Sequence, residues 1–182
     1  MLKTNDQANY ERLLSEIRMN EPTSDQELRD AVESAIKDRS KFFYCVYKTL
    51  LELHPDIDAT EVMREASRKF GSCRSGSFHN TDDCREVVKN DYPKEAMLVY
   101  EVEIEELNED KAVCNFKHCP HMEAFREMGC TADEMERFCL DMLIYGDYAA
   151  YADCKNIELS FPRILARGED VCEYTLTKQR DR

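Results

Sequence analysis

Apolar residues recur at helical spacing through the first half of the chain. The longest such pattern predicts a helix from about Asp25 to Leu53, and the pair Ser24 and Glu27 has the spacing of a capping box at its start. A second helix is predicted over residues 59–70, with Gly71 just past its end. The first half is therefore predicted to be helical.

Shorter segments complete this half. Residues 6–19 predict an amphipathic helix, and a further short helix is predicted to end near Lys89. Residues 71–80, which lie just before this short helix and include Arg74, are small and polar and predict a surface loop.

The hydrophobic period changes from helical to alternating after residue 95. Residues 96–105 alternate apolar side chains with glutamates, which predicts a strand with one buried and one solvated face and favours an antiparallel sheet. Residues 108–110 predict a hairpin turn into a second strand at 112–116. Further strands are predicted at residues 157–161 and from Cys172 onward.

Two helices are predicted between the second and third strands. Pro120 suits the first turn of one of them, because its missing N–H would be unpaired there anyway. The pair Thr131 and Glu134 has capping-box spacing and predicts a helix over residues 132–152. This order of elements predicts an α+β fold, with N-terminal helices followed by a ββααββ unit whose antiparallel sheet of about four strands is covered by helices.

The 182 residues are predicted to form a single domain, since this length suffices to bury a core. Four stretches are expected within it: an N-terminal helix and connector (residues 1–23), a helical half (24–92), a sheet-and-helix half (93–178) and a tail (179–182).

The net charge limits the partners. It is 25 − 38 = −13, and such a surface repels phosphate backbones and anionic headgroups, which predicts no nucleic acid and no membrane partner. No apolar run reaches the roughly 20 residues that span a bilayer. The N-terminus lacks the hydrophobic segment of a signal peptide, which predicts a cytoplasmic location. A homo-oligomer is left open.

The nine cysteines are an odd number and follow no disulfide framework. In a chain without export signals, this favours free thiols or metal ligands over disulfides. Each of Cys114, Cys139 and Cys172, taken alone, is better interpreted as a small buried hydrophobe than as a ligand or a reactive thiol.

The densest chemistry lies at His118-Cys119-Pro120-His121, between a predicted strand and a predicted helix. Cys119 falls near the N-cap, where free N–H groups and the helix dipole favour an anion, so its thiol is predicted to be biased toward thiolate. His118 and His121 supply imidazoles that titrate near neutral pH.

Two charged residues lie on predicted apolar helix faces. Gly146 lies on the core face of the helix at 132–152 and predicts a close approach by a backbone or a ligand, with Asp147 at its edge. Arg39 lies on the apolar stripe of the long helix, where it either has a structural role, snorkelling or pairing with a neighbouring acid, or binds a substrate carboxylate.

Short motifs in both halves, over about residues 25–177, resemble the L-2-amino-thiazoline-4-carboxylic acid hydrolase family. The motifs are Asp38-Arg39, Phe42-Phe43-Tyr44, Phe70-Gly71, Cys119-Pro120, Phe138-Cys139, Asp147 and Gly168-Glu169-Asp170-Val171-Cys172-Glu173-Tyr174. A similar ending occurs in small-molecule-binding domains of the 4-vinyl reductase type, some of which hold zinc through cysteines. The resemblance implies a soluble α+β fold and hydrolysis of a cyclic amidine to an N-carbamoyl amino acid.

The first hypothesis is a hydrolase that acts on a carbon–nitrogen bond of a small ring without a redox cofactor. Cys119 would attack the amidine carbon or orient water, and His118 or His121 would shuttle protons. Asp147 would orient the base or hold the protonated ring nitrogen. Arg39 would bind the carboxylate of the small-molecule substrate, and Cys139 and Cys172 would line the pocket.

The second hypothesis is a binding or sensing domain without turnover. Cys119, Cys139 and Cys172 would then hold a structural zinc ion together with His121 or His118. A third interpretation is an interaction module whose cysteines all belong to the core.

Overall fold

The computed structural model describes residues 22–75, 81–152, 154 and 156–179. The helix predicted at residues 6–19 lies outside these ranges. The helices are α1 (Asp25–Leu53), α2 (Ala59–Arg74), α3 (Cys84–Asp91), α4 (Lys94–Val99), α5 (Pro120–Glu127), α6 (Ala132–Arg137) and α7 (Ile144–Tyr151). The strands are β1 (Val102–Leu107), β2 (Lys111–Phe116), β3 (Ile157–Ser160) and β4 (Cys172–Lys178).

The long helix α1 has the predicted bounds, and its capping box is formed. The Ser24 hydroxyl accepts from the Glu27 N–H, and the Glu27 carboxylate accepts from the Ser24 N–H at 3.0 Å. These bonds satisfy backbone donors that the first turn cannot pair internally. A second capping box, between Thr131 and Glu134, starts α6.

The sheet is antiparallel throughout and has the order β1-β2-β4-β3. A turn closed by the Asn108 N–H on the Lys111 carbonyl, at 2.8 Å, joins β1 to β2. The central pair β2 and β4 places Cys114 opposite Tyr174 and Phe116 opposite Cys172. The predicted α+β fold, with N-terminal helices and a four-stranded antiparallel sheet, is confirmed.

The prediction of one strand over residues 96–105 is wrong in its first half. Residues 94–99 form α4, and the strand begins only at Val102. Pro93, in an extended conformation, starts the short helix, and Val99 is fully buried. Packing of α4 against α1 therefore overrides the alternating pattern. The pattern also predicts that Ile104 faces the core, whereas this side chain is 48% exposed.

Helix α2 is one turn longer than predicted, because Gly71 continues the helix instead of ending it. Helix α7 crosses it there, so Gly71 provides a close approach between two backbones. The residues up to Arg74, predicted as loop, are thereby helical, whereas residues 76–80 lie outside the described ranges.

The helix predicted at residues 132–152 is interrupted in its register. A π-helical segment, Phe138–Leu143, connects α6 to α7. Such segments are rare and occur often at functional sites. In this protein the segment places Cys139, Leu140 and Leu143 on the wall of one cavity.

The core has two parts. One lies between the sheet, α3 and the end of α7, around Tyr174 and Leu176. The other lies between α1, α2, α5 and the π-helical segment, around Phe125 and Phe138. None of the helices in the described ranges is long and apolar enough to cross a membrane.

Candidate active site

A cavity of about 320 Å³ lies between the two parts of the core. All seven predicted site residues line it: Arg39, His118, Cys119, His121, Cys139, Asp147 and Cys172. The structure thus brings together residues of α1, the β2–α5 junction, the π-helical segment, α7 and β4. Their chemical roles remain predictions.

Cys119 occupies the N-cap of α5, with Pro120 in the first turn, as predicted. The nearby backbone N–H groups of Met122 and His121 lower its pKa, but burial outweighs them and raises the pKa to about 12. The expected bias toward thiolate is therefore wrong for the free site. The loss of water around the sulfur destabilises the thiolate more than the helix N-terminus stabilises it.

His121 is enclosed between α1 and the residue that follows α4. Its Nδ1 lies 2.7 Å from the Ser40 hydroxyl, and its Nε2 lies 3.5 Å from the Tyr100 hydroxyl. Burial, reinforced by the positive charges of Arg39 and Arg74, lowers its pKa to about 3. His121 is neutral at pH 7 and is not the near-neutral titrating group that its residue type suggests.

His118 has a different environment. Its Nε2 lies 3.2 Å from the Glu33 carboxylate of α1, and both side chains are about one-fifth exposed (21%). Glu33 lies on α1 and His118 lies at the β2–α5 junction, so this contact joins the two elements. We therefore expect His118 to hold α1 against the junction as well as to line the cavity.

Arg39 is exposed, as a snorkelling arginine and a ligand-binding one both would be. Its guanidinium lies 5.4 Å from the centre of the Phe70 ring. It has no carboxylate within ion-pair distance among residues 22–75, 81–152, 154 and 156–179. A cation at the cavity wall without an anionic partner is available to a ligand carboxylate.

Asp147 belongs to an ion-pair network that the sequence did not reveal. Arg74 donates to Asp147 at 3.2 Å and to Asp91 at 2.8 Å, and both of these partners also line the cavity. Asp91, whose side chain is only 5% exposed, also accepts from the Tyr151 hydroxyl. Tyr151 in turn lies 2.5 Å, oxygen to oxygen, from Tyr174 of β4.

Arg74 and Asp91 were missed for different reasons. The sequence predicts a loop at Arg74 because Gly71 is typical of a helix end, although Ser67 and Gly71, small residues four apart, also fit a helix contact. Asp91 ends α3 immediately before the Tyr92-Pro93 breaker, and nothing in its local sequence marks it as a buried ion-pair partner.

The carboxyl of Asp147 has a shifted pKa. Burial raises it to about 6, and the neighbouring Arg74 cation opposes this shift. About a third of the side chain (36%) is exposed, and Asp147 lines the cavity. A carboxyl group that titrates near neutral pH and is open to a cavity can accept and return a proton in a reaction.

Three thiols share the cavity wall. Cys119, Cys139 and Cys172 are close enough to influence one another's pKa, and burial raises the pKa of all three. Cys172 also accepts from the Leu165 N–H at 3.3 Å. Across the described part of the chain, no three His, Cys, Asp or Glu side chains are arranged to share a metal ion, so the four alternative zinc ligands line one cavity without forming a ligand cluster.

The fold and the site define a small α+β protein with a cavity lined by a near-neutral carboxyl group and by an arginine that has no carboxylate partner among the described residues. The family model for L-2-amino-thiazoline-4-carboxylic acid hydrolase matches residues 35–176. The chain belongs to this family. A comparison with curated proteins found no match.

Proposed function

We propose that the protein is a hydrolase of a small cyclic amidine that carries a carboxylate, of the kind that its family's description names. The observation that carries this proposal is that one cavity holds both Arg39, which has no ion-pair partner in the described part of the chain, and Asp147, whose pKa is near 6. A carboxylate and an amidinium at opposite ends of one small molecule match these two groups.

In the proposed complex, Arg39 binds the carboxylate, and the ionised Asp147 accepts hydrogen bonds from the amidinium nitrogens. Charge-assisted pairs of this kind are shorter and stronger than neutral hydrogen bonds. The protein's net charge of −13 repels anions in solution, so a dedicated cation is needed to hold a carboxylate here.

The reaction then needs only water. The oxygen of a water molecule bonds to the amidine carbon, and its proton passes to Asp147. The hydroxyl proton of the tetrahedral carbon then passes to solvent water as the carbonyl forms and one bond to a leaving group breaks. The leaving group takes the proton that Asp147 received. Above pH 6 the carboxylate form of Asp147 predominates and serves as the base.

The product reveals which bond breaks. An N-carbamoyl amino acid keeps both amidine nitrogens, so from a thiazoline it forms when the ring carbon–sulfur bond breaks and a thiol is released. Release of ammonia instead marks cleavage of the carbon–nitrogen bond to the exocyclic amino group.

Cys119 is proposed to orient the substrate or the water. Its raised pKa leaves it a neutral thiol in the free site, and the thiol is a poor nucleophile. A water mechanism predicts that Cys119→Ala retains measurable turnover, whereas a covalent mechanism predicts that it retains none.

Incubation with L-2-amino-thiazoline-4-carboxylic acid, followed by mass spectrometry and by thiol and ammonia assays, tests the proposal. Asp147→Asn should lower turnover by orders of magnitude, whereas Asp141→Asn, an exposed carboxylate of the π-helical segment, should leave it unchanged. Absence of turnover by the wild-type protein, together with stoichiometric zinc that leaves only on unfolding, would favour the non-catalytic zinc domain instead.

A further inference from the structure

A chain of hydrogen bonds runs from the backbone of α1 to the cavity. It begins at the carbonyl of Ile36, continues through Ser40 and His121, and ends at Tyr100, which lines the cavity. Each of the three side chains has a small number of protons, so the direction of every bond in this chain can be worked out.

The direction is set at Ser40, which is 2% exposed. Its hydroxyl lies 2.8 Å from the Ile36 carbonyl oxygen, which can only accept, so the one hydroxyl proton lies between these two oxygens. The same hydroxyl lies 2.7 Å from Nδ1 of His121 and has no proton left to donate. Nδ1 must therefore carry a proton and donate it to Ser40.

The proton on Nδ1 determines whether Nε2, the other ring nitrogen, is protonated. His121 is neutral at pH 7, because burial and two nearby arginines lower its pKa to about 3. A neutral imidazole with a proton on Nδ1 has none on Nε2, which is then an acceptor. The group that faces Nε2 is the Tyr100 hydroxyl, at 3.5 Å.

Tyr100 is held rigidly at this position. Its carbonyl accepts from the N–H groups of Lys117 and His118, at 3.1 and 3.2 Å, and its ring packs on Phe116 with centroids 5.6 Å apart. Burial raises the pKa of its hydroxyl, so the hydroxyl keeps its proton and can donate it to His121 Nε2. The lone pairs of the oxygen have no donor in the described part of the chain.

We propose that Ser40 fixes His121 in the Nδ1–H tautomer, and that the resulting chain presents the Tyr100 oxygen to the cavity as an acceptor for an N–H group of the ligand. Ser40 and His121 are positioning residues in this scheme, and Tyr100 contacts the ligand. The identification of that N–H with an amidine nitrogen rests on the proposed function, whereas the tautomer and the acceptor do not.

The tautomer is measured directly by nitrogen-15 NMR of the full chain labelled at histidine. The chain has four histidines, and His121→Gln identifies the signals of interest. At pH 7 the wild-type ring should show a protonated Nδ1 and a bare Nε2. Ser40→Ala should shift the ring toward the Nε2–H tautomer, whereas Ser34→Ala, on an exposed position of the same helix, should not.

A wild-type ring with its proton on Nε2 would overturn the assignment of the tautomer, and this outcome does not depend on whether Ser40→Ala folds. A ring that is unchanged by a folded Ser40→Ala variant would show that Ser40 does not fix the tautomer.

The acceptor is tested with acetamidine, a probe that carries amidine N–H groups and no carboxylate. Titration should shift the His121 Nε2 signal, because a donor on the Tyr100 oxygen strengthens the bond from its hydroxyl to Nε2. Tyr100→Phe should weaken acetamidine binding about tenfold, a typical net effect of one hydrogen bond, and should abolish the shift. No shift in the wild-type protein, or the same shift in Tyr100→Phe, would overturn the acceptor role.

Neither measurement uses turnover. A protein that fails to hydrolyse the thiazoline but shows the Nδ1–H tautomer and the acetamidine response would refute the proposed function and leave this inference intact. A protein that hydrolyses the thiazoline through a ring protonated on Nε2 would do the reverse.

Discussion

Gly71 and Gly146 bring α2 and α7 into backbone contact: a Cβ on Gly71 would lie only 1.9 Å from the carbonyl oxygen of Gly146. Arg74 follows Gly71 by three residues, and Asp147 follows Gly146 directly. The crossing therefore brings a guanidinium and a carboxylate to 3.2 Å at the cavity wall. No larger residue at position 71 permits this geometry.

Gly71→Ala should destabilise the protein strongly. The methyl group meets backbone and not a flexible side chain, so the two helices must separate, at a cost of about 3 kcal/mol or more. Gly146→Ala is the matched control, because its Cβ would lie 3.1 Å from the Ser67 carbonyl oxygen, and its cost should be smaller. Thermal unfolding measures both, and equal stabilities of the two variants would contradict the asymmetry of this contact.

The charge of Asp147 should make stability depend on pH. Its pKa is about 6 in the folded protein against 3.8 for the free carboxyl. Between these values the folded state binds more protons than the unfolded state, so the free energy of unfolding falls as pH rises from about 4 to 6. Above pH 6 the folded protein carries the full cost of a buried charge.

Asp147→Asn should remove that cost. We expect a melting temperature about 2–4 °C above wild type at pH 7, a modest gain because the side chain keeps part of its solvation, and no gain near pH 4. Asp141→Asn should show no pH-dependent difference. A variant that is less stable than wild type at pH 7 would mean that the Arg74 ion pair outweighs the burial of the charge.

Arg39→Leu should leave the fold intact, because the side chain is exposed and its described contacts include a ring but no carboxylate. Binding of a carboxylate ligand should weaken by about 1.5–3 kcal/mol, the usual contribution of hydrogen bonds to charged groups. Calorimetric titration with the thiazoline carboxylate measures this change. The control is Arg29→Leu, because Arg29 lies on the same helix as Arg39 but is paired with Glu101. An equal loss of affinity in both variants would exclude a specific role for Arg39.

The exposed thiols should react before those of the cavity. Cys45 and Cys73 are exposed, whereas burial raises the pKa of Cys119 to about 12. Limited alkylation with iodoacetamide at pH 7, followed by peptide mapping, should label the first two and leave Cys119 largely unmodified, with faster labelling of Cys119 as pH rises. Preferential labelling of Cys119 at pH 7 would show that the helix N-terminus outweighs burial and would restore the covalent mechanism.

The local sequence determined most of the secondary structure. Ser24 with Glu27, and Thr131 with Glu134, mark helix starts because a short side chain and an acid three residues later pair the same orphan N–H groups. It failed at Gly71, because a glycine signals equally a helix end and a close helix contact, and only the partner helix distinguishes them.

The sequence also identified seven side chains that line one cavity, but not their ionisation. Cys119 at a helix N-cap and His121 in a histidine-rich motif suggested a thiolate and a near-neutral base. Burial makes one a neutral thiol and the other a neutral imidazole, and it moves the near-neutral pKa to Asp147. The sequence shows which groups lie near one another along the chain. Burial, and the positive charges of Arg39 and Arg74, come from elements that are far apart in the chain and meet only in the folded protein. Only the tertiary structure therefore decided which group titrates near neutral pH.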